Sequence, residues 1–231
     1  MRYDCLLLDA DGTLLDCESA ERQALRAAFA QFGHPYDDGI LELYRVINAE
    51  MWRAIECGTL AEEDLPVARF VRLGELLGCE LDAPALGPAY LQHLGQYGDS
   101  LPQTDETLAA LHGRVRMVLV TNGLRQVQAS RLAKATITRY LDAVVISGEE
   151  GVAKPHPRVF EVALERAGNP PSDRVLMVGD SLTADIAGGN GVGIDTCWFN
   201  PTGLPRDPRY EPVYEIRELP ELIALVEGGG V

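Results

Sequence analysis

The stretch that decides the fold is Leu6-Leu7-Leu8-Asp9-Ala10-Asp11-Gly12-Thr13-Leu14. An apolar run ends in two carboxylates spaced i, i+2, and a glycine follows at once. On an extended chain, residues two apart point to the same side. Asp9 and Asp11 therefore face one spot where a buried strand ends. Close like charges raise each other's pKa, and plain structure seldom calls for such a pair. One acid can serve as nucleophile or metal ligand while its neighbour moves a proton. A calcium loop fits poorly, because it needs further oxygen ligands and a glycine at position six. Here the glycine comes fourth, and Thr13-Leu14-Leu15 follow.

Three more clusters lie along the chain. Met117-Val118-Leu119-Val120 ends in Thr121-Asn122-Gly123, and Lys154-Pro155 follows Gly151-Val152-Ala153. Val175-Leu176-Met177-Val178 ends in Gly179-Asp180-Ser181-Leu182-Thr183-Ala184-Asp185. Nearly continuous apolar runs predict strands over 4–9, 115–121, 143–147, 174–179 and 193–199, as in a parallel sheet covered on both faces. Helical patterns over 104–112, 123–135, 156–167, 181–188 and 217–227 alternate with them. Thr104 is expected to cap the first, and Pro157 sits in the first turn of the third, where proline is tolerated. This alternation predicts a doubly wound, Rossmann-like α/β core. The stretch 17–97 breaks it and reads as four helices, divided at Gly33-His34-Pro35, Cys57-Gly58 and Gly78. Thr59 with Glu62 has the spacing of a capping box. The domains expected are therefore a core from 1–16 and 98–231, and an all-helical domain, 17–97, inserted after the first strand. Gly188 to Gly193 follows a helix and precedes a strand, the reverse of a dinucleotide loop, and reads as a helix stop. Gly228-Gly229-Gly230 is expected to be a disordered tail.

The net charge of -15 argues against nucleic acid polymers and anionic membrane surfaces as partners. No apolar run has the length of a membrane span, and no signal peptide precedes the first strand, so the cytoplasm is the expected compartment. The five cysteines are scattered with no CxxC pair and read as reduced, mostly buried apolar residues. His34, His93, His112 and His156 have no metal-ligand spacing, and His156 is expected to start a helix. Lysine occurs only at Lys134 and Lys154.

Together, the four clusters resemble the four motifs of the haloacid dehalogenase-like superfamily, chiefly its phosphatases, in order and spacing over nearly the whole chain. The resemblance implies Asp9 as a nucleophile that forms an aspartyl-phosphate and Asp11 as the acid and base. It implies Thr121, with the amides of Asn122 and Gly123, as a phosphate cradle. Lys154 would bind the phosphate and neutralise charge on the nucleophile and the phosphoryl group. Asp9, the backbone carbonyl of Asp11, and Asp180 would hold Mg2+, and Asp185 would support the metal shell or orient the lysine. The helical insert looks like the small cap of the superfamily's first cap class. The implied partner is a small phosphorylated metabolite, with the protein a monomer or homodimer. Dehalogenases of the superfamily lack an acid at the place of Asp11 and need no magnesium. The branch that uses a cap lysine as a Schiff base is excluded, since 17–97 contains no lysine.

A narrower resemblance, to bacterial pyrimidine 5'-nucleotidases of the house-cleaning type, rests on core-domain stretches. These are Val144-Val145-Ile146-Ser147 through Lys154-Pro155, Ala167-Gly168-Asn169-Pro170, Arg174 through Asp180, and Thr196-Cys197-Trp198. It implies nucleoside monophosphates such as dUMP, dTMP and UMP as substrates. Trp52 and Arg69 are then the candidate contacts from the cap. One position departs: that branch implies glutamate at the fourth place of the first motif, and here it is Gly12. The alternatives are a sugar-phosphate or phosphoglycolate phosphatase, a hexose-phosphate mutase, or a non-catalytic phospholigand-binding protein on the same fold.

Overall fold

Strand β1 (Cys5–Leu8) lies at the middle of one six-stranded sheet with β2 (Arg116–Thr121), β3 (Ala143–Ile146), β4 (Val175–Gly179), β5 (Asp195–Phe199) and β6 (Tyr214–Ile216) in the computed structural model, which describes residues 1–229. The order is β3-β2-β1-β4-β5-β6, and every pair is parallel. Side chains alternate across the sheet, and both sets are buried. Leu7, Val118, Val120, Val145, Val175 and Met177 share one core with Val159, Phe160 and Ala163. Leu6, Leu8, Leu119, Leu176 and Val178, of the opposite parity, are also fully buried. Continuous apolar runs are what such two-sided burial requires.

The helices are α1 (Cys17–Gln31), α2 (Asp38–Glu56), α3 (Leu65–Leu77), α4 (Ala83–Leu94), α5 (Thr104–Leu111), α6 (Arg125–Leu132), α7 (Ser147–Glu150), α8 (Pro157–Arg166), α9 (Ala187–Gly191) and α10 (Glu221–Glu227). The chain divides into two units. One contains the sheet and comprises Met1–Asp16, Asp99–Gly123 and the residues from Ala135 onward. The other is helical and comprises Cys17–Gly98 and Leu124–Lys134. The sequence reading placed 124–134 in the core. The structure groups α6 with α4 instead, where the Arg131 Nε donates to the Tyr97 carbonyl at 2.9 Å and Ser130 Oγ to the Gly95 carbonyl at 2.8 Å.

Inside the helical unit, Tyr44, Phe70 and Tyr90 form an aromatic trio with ring centres 5.3–5.9 Å apart. α3 and α4 pack closely at Gly87, where a Cβ would lie 2.5 Å from the Pro66 carbonyl oxygen. Asp37 and Asp82 cap α2 and α4 by accepting from the amides of Ile40 and Ala85.

Several local expectations are corrected. Thr59 makes no capping box: its hydroxyl donates back to the Ala54 carbonyl, and α3 begins only at Leu65. Gln103 holds the cap position of α5, while the buried Thr104 hydroxyl donates to the Leu14 carbonyl. The stop expected over 188–193 falls at Gly191, the last residue of α9, with Gly193 at a φ of 75° beyond it, while Gly188 and Gly189 lie within α9 where a Cβ would collide with Phe160 and Thr196. Gly228 and Gly229 close α10, their amides donating to the carbonyls of Leu225 and Ala224, and Gly230 lies outside the described residues. All five cysteines are free, but only Cys5 and Cys197 are buried; Cys57 and Cys79 are exposed. No described helix is long and apolar enough to cross a membrane.

Candidate active site

The crossovers reverse direction at β1. The chain runs from β1 to β2 and β3 on one side, then returns to β4 on the other. In open α/β sheets the crevice at such a switch point, beyond the carboxyl ends of the strands, is where ligands bind. Asp9 leaves β1 there, its amide donating to the Val178 carbonyl of β4 at 2.9 Å. Thr121 ends β2, and Asp180 is the first residue past β4.

Lys154 is the hub of the site. Its ammonium donates to Asp9 Oδ1 at 2.5 Å, to Asp185 Oδ1 at 2.7 Å and to the Val120 carbonyl at 2.7 Å. An ammonium has three hydrogens, so all are committed. The expectation that Lys154 also grips a phosphate therefore meets no spare donor in this arrangement. Its backbone is held as tightly. Asn122 Nδ2 donates to the Lys154 carbonyl at 3.0 Å, and the Lys154 amide donates to Asn122 Oδ1 at 2.8 Å. Sequence reasoning missed this clamp, since nothing in a Thr-Asn-Gly triplet shows what the asparagine side chain will meet.

The expected amide cradle is also altered. The Gly123 amide, at a φ of 146° that favours glycine, donates to Ser147 Oγ at 2.9 Å. It is already used within the fold. The Thr121 hydroxyl, fully buried, donates to the Asn122 carbonyl at 3.3 Å.

Asp185 reaches the lysine through a local irregularity. Residues Leu182–Ile186 form a single wide π turn, with the Ser181 side chain capping it by accepting from the Ala184 amide. Such turns recur at functional sites. Both oxygens of Asp185 are occupied, Oδ1 by Lys154 and Oδ2 by the Ser181 amide at 3.0 Å. Gly179 makes room for it, since a Cβ there would lie 2.1 Å from Asp185 Oδ2. Asp180 is solvent-exposed as a residue, yet its carboxylate rests against Gly12, where a Cβ would lie 2.5 Å from Oδ2. Gly12, at φ 81°, is thus needed twice: for its backbone and for this close approach.

The electrostatics follow from these contacts. Desolvation, then the charge of Asp185, push Asp9 up to about 7, against the pull of Lys154. Desolvation of its carboxylate, with the charges of Asp9 and Asp185, drives Asp180 well above the usual range. Burial opposes the charge of Lys154, but Asp185 and Asp9 outweigh it and hold the ammonium above its ordinary pKa.

Carboxylate oxygens of Asp9, Asp180 and Asp185 lie within 4.8 Å of one another. One ammonium against three carboxylates leaves negative charge, and the donors are hard oxygens. Both features fit a hard divalent cation. Since Asp185 is occupied and fully buried, Asp9 and Asp180 are the side chains able to take it. Asp11, half-buried in the turn after β1, is not in this carboxylate cluster, and only its backbone carbonyl was expected to serve.

Trp52 and Arg69 belong to the helical unit. Trp52 is partly buried on α2. Arg69 is buried, donates to Asn48 Oδ1 at 3.3 Å and stacks 4.5 Å from the Tyr90 ring centre. Both of these contacts are with residues of its own unit.

Comparison with known proteins gives a consistent picture. Residues 3–193 match the model of the haloacid dehalogenase-like hydrolases. The HAD-hydrolase YfnB of Bacillus subtilis is 34% identical over 221 residues, covering 96% of this chain and 94% of its own. The pyrimidine 5'-nucleotidase PynA of Streptococcus pneumoniae is 34% identical over 224 residues, with the same coverage. The pyrimidine 5'-nucleotidase YjjG of Escherichia coli is 32% identical, covering 98% of this chain and 99% of its own. A crystal structure of YfnB bound to magnesium superposes with a TM-score of 0.92 over 98% of this chain and 99% of that one.

Proposed function

Because the chain belongs to the haloacid dehalogenase-like hydrolases, we propose that it is a magnesium-dependent phosphomonoesterase that acts on pyrimidine nucleoside 5'-monophosphates. The observation that carries the chemistry is the buried Asp9–Lys154–Asp185 linkage beside Asp180 at the switch point. The relatives PynA and YjjG support the substrate class.

Asp9 attacks phosphorus, forming a P–O bond as the ester P–O bond breaks. Asp11 gives its proton to the leaving alkoxide. Water then attacks the aspartyl-phosphate, Asp11 takes the water's proton, and inorganic phosphate leaves with Asp9 restored. Lys154 keeps Asp9 ionised and oriented, and Thr121 turns its hydroxyl from the Asn122 carbonyl to donate to a phosphoryl oxygen. Asp9, Asp180 and the Asp11 carbonyl would hold Mg2+, which neutralises charge on the phosphoryl oxygens.

The test is phosphate release, with magnesium, across nucleoside monophosphates, sugar phosphates and phosphoglycolate. Selective release from dUMP, dTMP or UMP is expected. Release from sugar phosphates alone would keep the chemistry and discard the nucleotide. No release from folded protein would discard the phosphatase reading. Asp9→Asn is expected to reduce turnover by at least about a thousand-fold, roughly 4 kcal/mol in the barrier, with melting little changed. Retained turnover would remove Asp9 as nucleophile.

A further inference from the structure

The peptide unit that joins Asp180 to Ser181 is held at both of its polar ends. Its N–H, on Ser181, donates to Asp185 Oδ2 at 3.0 Å. Its carbonyl, on Asp180, accepts from the indole Nε1 of Trp198 at 2.8 Å. Trp198 lies on β5 in register with Gly179, the last residue of β4, and is 3% exposed. Asp180 is one residue beyond that ladder. No sheet partner therefore takes its carbonyl, and a side chain does so instead. A buried tryptophan usually finds a partner for its N–H, and here the partner is the main chain of a carboxylate in the charged cluster.

Two hydrogen bonds on one peptide plane fix its rotation about the chain. That rotation sets the direction of the Asp180 side chain, which must fit against Gly12 and stay near Asp9. The Asp185 end of this brace is part of the lysine network. The Trp198 end comes from a different strand, β5.

We infer that Trp198 is a positioning residue for cation binding: its indole N–H holds the Asp180 carbonyl so that the carboxylate is presented to the ion. This rests on the reading of Asp180 as a cation ligand given above. Partners that orient metal ligands from outside typically contribute about 10- to 100-fold in metal affinity. The indole bond is one of two braces, so its removal belongs at the lower end.

The experiment is calorimetric titration of MgCl2 into the whole protein without substrate, comparing wild type, Trp198→Phe and, as a control on the other tryptophan, Trp52→Phe. Trp198→Phe is expected to bind Mg2+ about ten-fold more weakly, and Trp52→Phe with wild-type affinity. A tryptophan that merely fills space would lower the melting temperature equally with and without Mg2+ and leave the affinity alone. That result overturns the inference. Wild type that binds no Mg2+ overturns the ligand reading itself, a distinct failure. Should Trp198→Phe not fold, benzothienylalanine at position 198 in a Trp52→Phe background keeps the ring shape and removes only the N–H. Weaker Mg2+ binding by that protein supports the inference, and unchanged binding overturns it.

Discussion

An ammonium group shut away from water stays charged only where anions surround it, and Lys154 meets that condition with Asp9 on one side and Asp185 on the other. Removing one partner of a buried ion pair is costly because the other charge is stranded. The site therefore works as a unit, and its less obvious member is Asn122. Its amide makes two hydrogen bonds with the backbone of Lys154, so it aims the lysine without touching the ammonium. Asn122→Ala leaves a donor and an acceptor unpaired and is expected to cost about 1–3 kcal/mol in stability. Turnover should fall by about ten-fold or more while KM changes less, because the substitution disturbs Asp9 through Lys154. Steady-state kinetics with thermal melts check this, and a rise in KM alone would show that the clamp serves binding instead. At this scale the sequence was partly legible. Asp9 and Asp11 stood out by type and spacing, and Asp180 and Lys154 through the resemblance. The commitments of the Gly123 amide and the Asn122 side chain did not, because their partners lie 24 and 32 residues away.

Among the elements, five strands were readable because burial on both faces makes each a continuous apolar run. β6 was not. It has three residues at the sheet edge, and its middle one, Glu215, is exposed, so it carries no such run. The pattern over 181–188 suggested an ordinary helix. The structure has a π turn followed by α9, because one extra residue in the turn lets Asp185 point back to the lysine while Ile186 stays buried. α9 in turn leans on α8 through a glycine. A Cβ on Gly188 would lie 2.4 Å from two ring carbons of Phe160, itself fully buried. Gly188→Ala is expected to destabilise the protein by about 1–3 kcal/mol, the usual cost of overfilling a packed interior. Phe160→Leu should be less harmful in that background than in wild type. A double-mutant cycle of unfolding free energies measures the difference, and simple additivity would mean that the ring does not receive the methyl group.

For the whole molecule, the concentration of carboxylates at one edge makes cation binding and folding stability a single question. An ion that binds only the folded state adds about 2.7 kcal/mol when present at a hundred times its dissociation constant. For a chain of this size that corresponds to a rise in melting temperature of very roughly 5–10 °C. Saturating Mg2+ should therefore raise the melting temperature relative to excess chelator, and Asp180→Asn should lose most of the rise. An equal rise in wild type and variant would place the cation elsewhere. The division into two units was less legible than the sheet. A helix after a strand reads as part of the alternating core, and α6 has the right length and place for that. What assigns it to the helical unit is a set of long-range hydrogen bonds to the carbonyls of Gly95 and Tyr97, including one from Lys134 Nζ at 2.8 Å.

That arrangement bears on how such a protein can be recombined. The helical unit is not a single cassette, since it is written in two places of the coding sequence, Cys17–Gly98 and Leu124–Lys134, with β2 between them. A crossover that exchanges the first stretch with a relative's delivers carbonyls of Gly95 and Tyr97, just past α4, whose donors at Ser130, Arg131 and Lys134 come from the other parent. Chimeras that carry both stretches from one parent keep those partners together. Inheritance of the unit is therefore tied across β2, and modular shuffling has to respect that linkage.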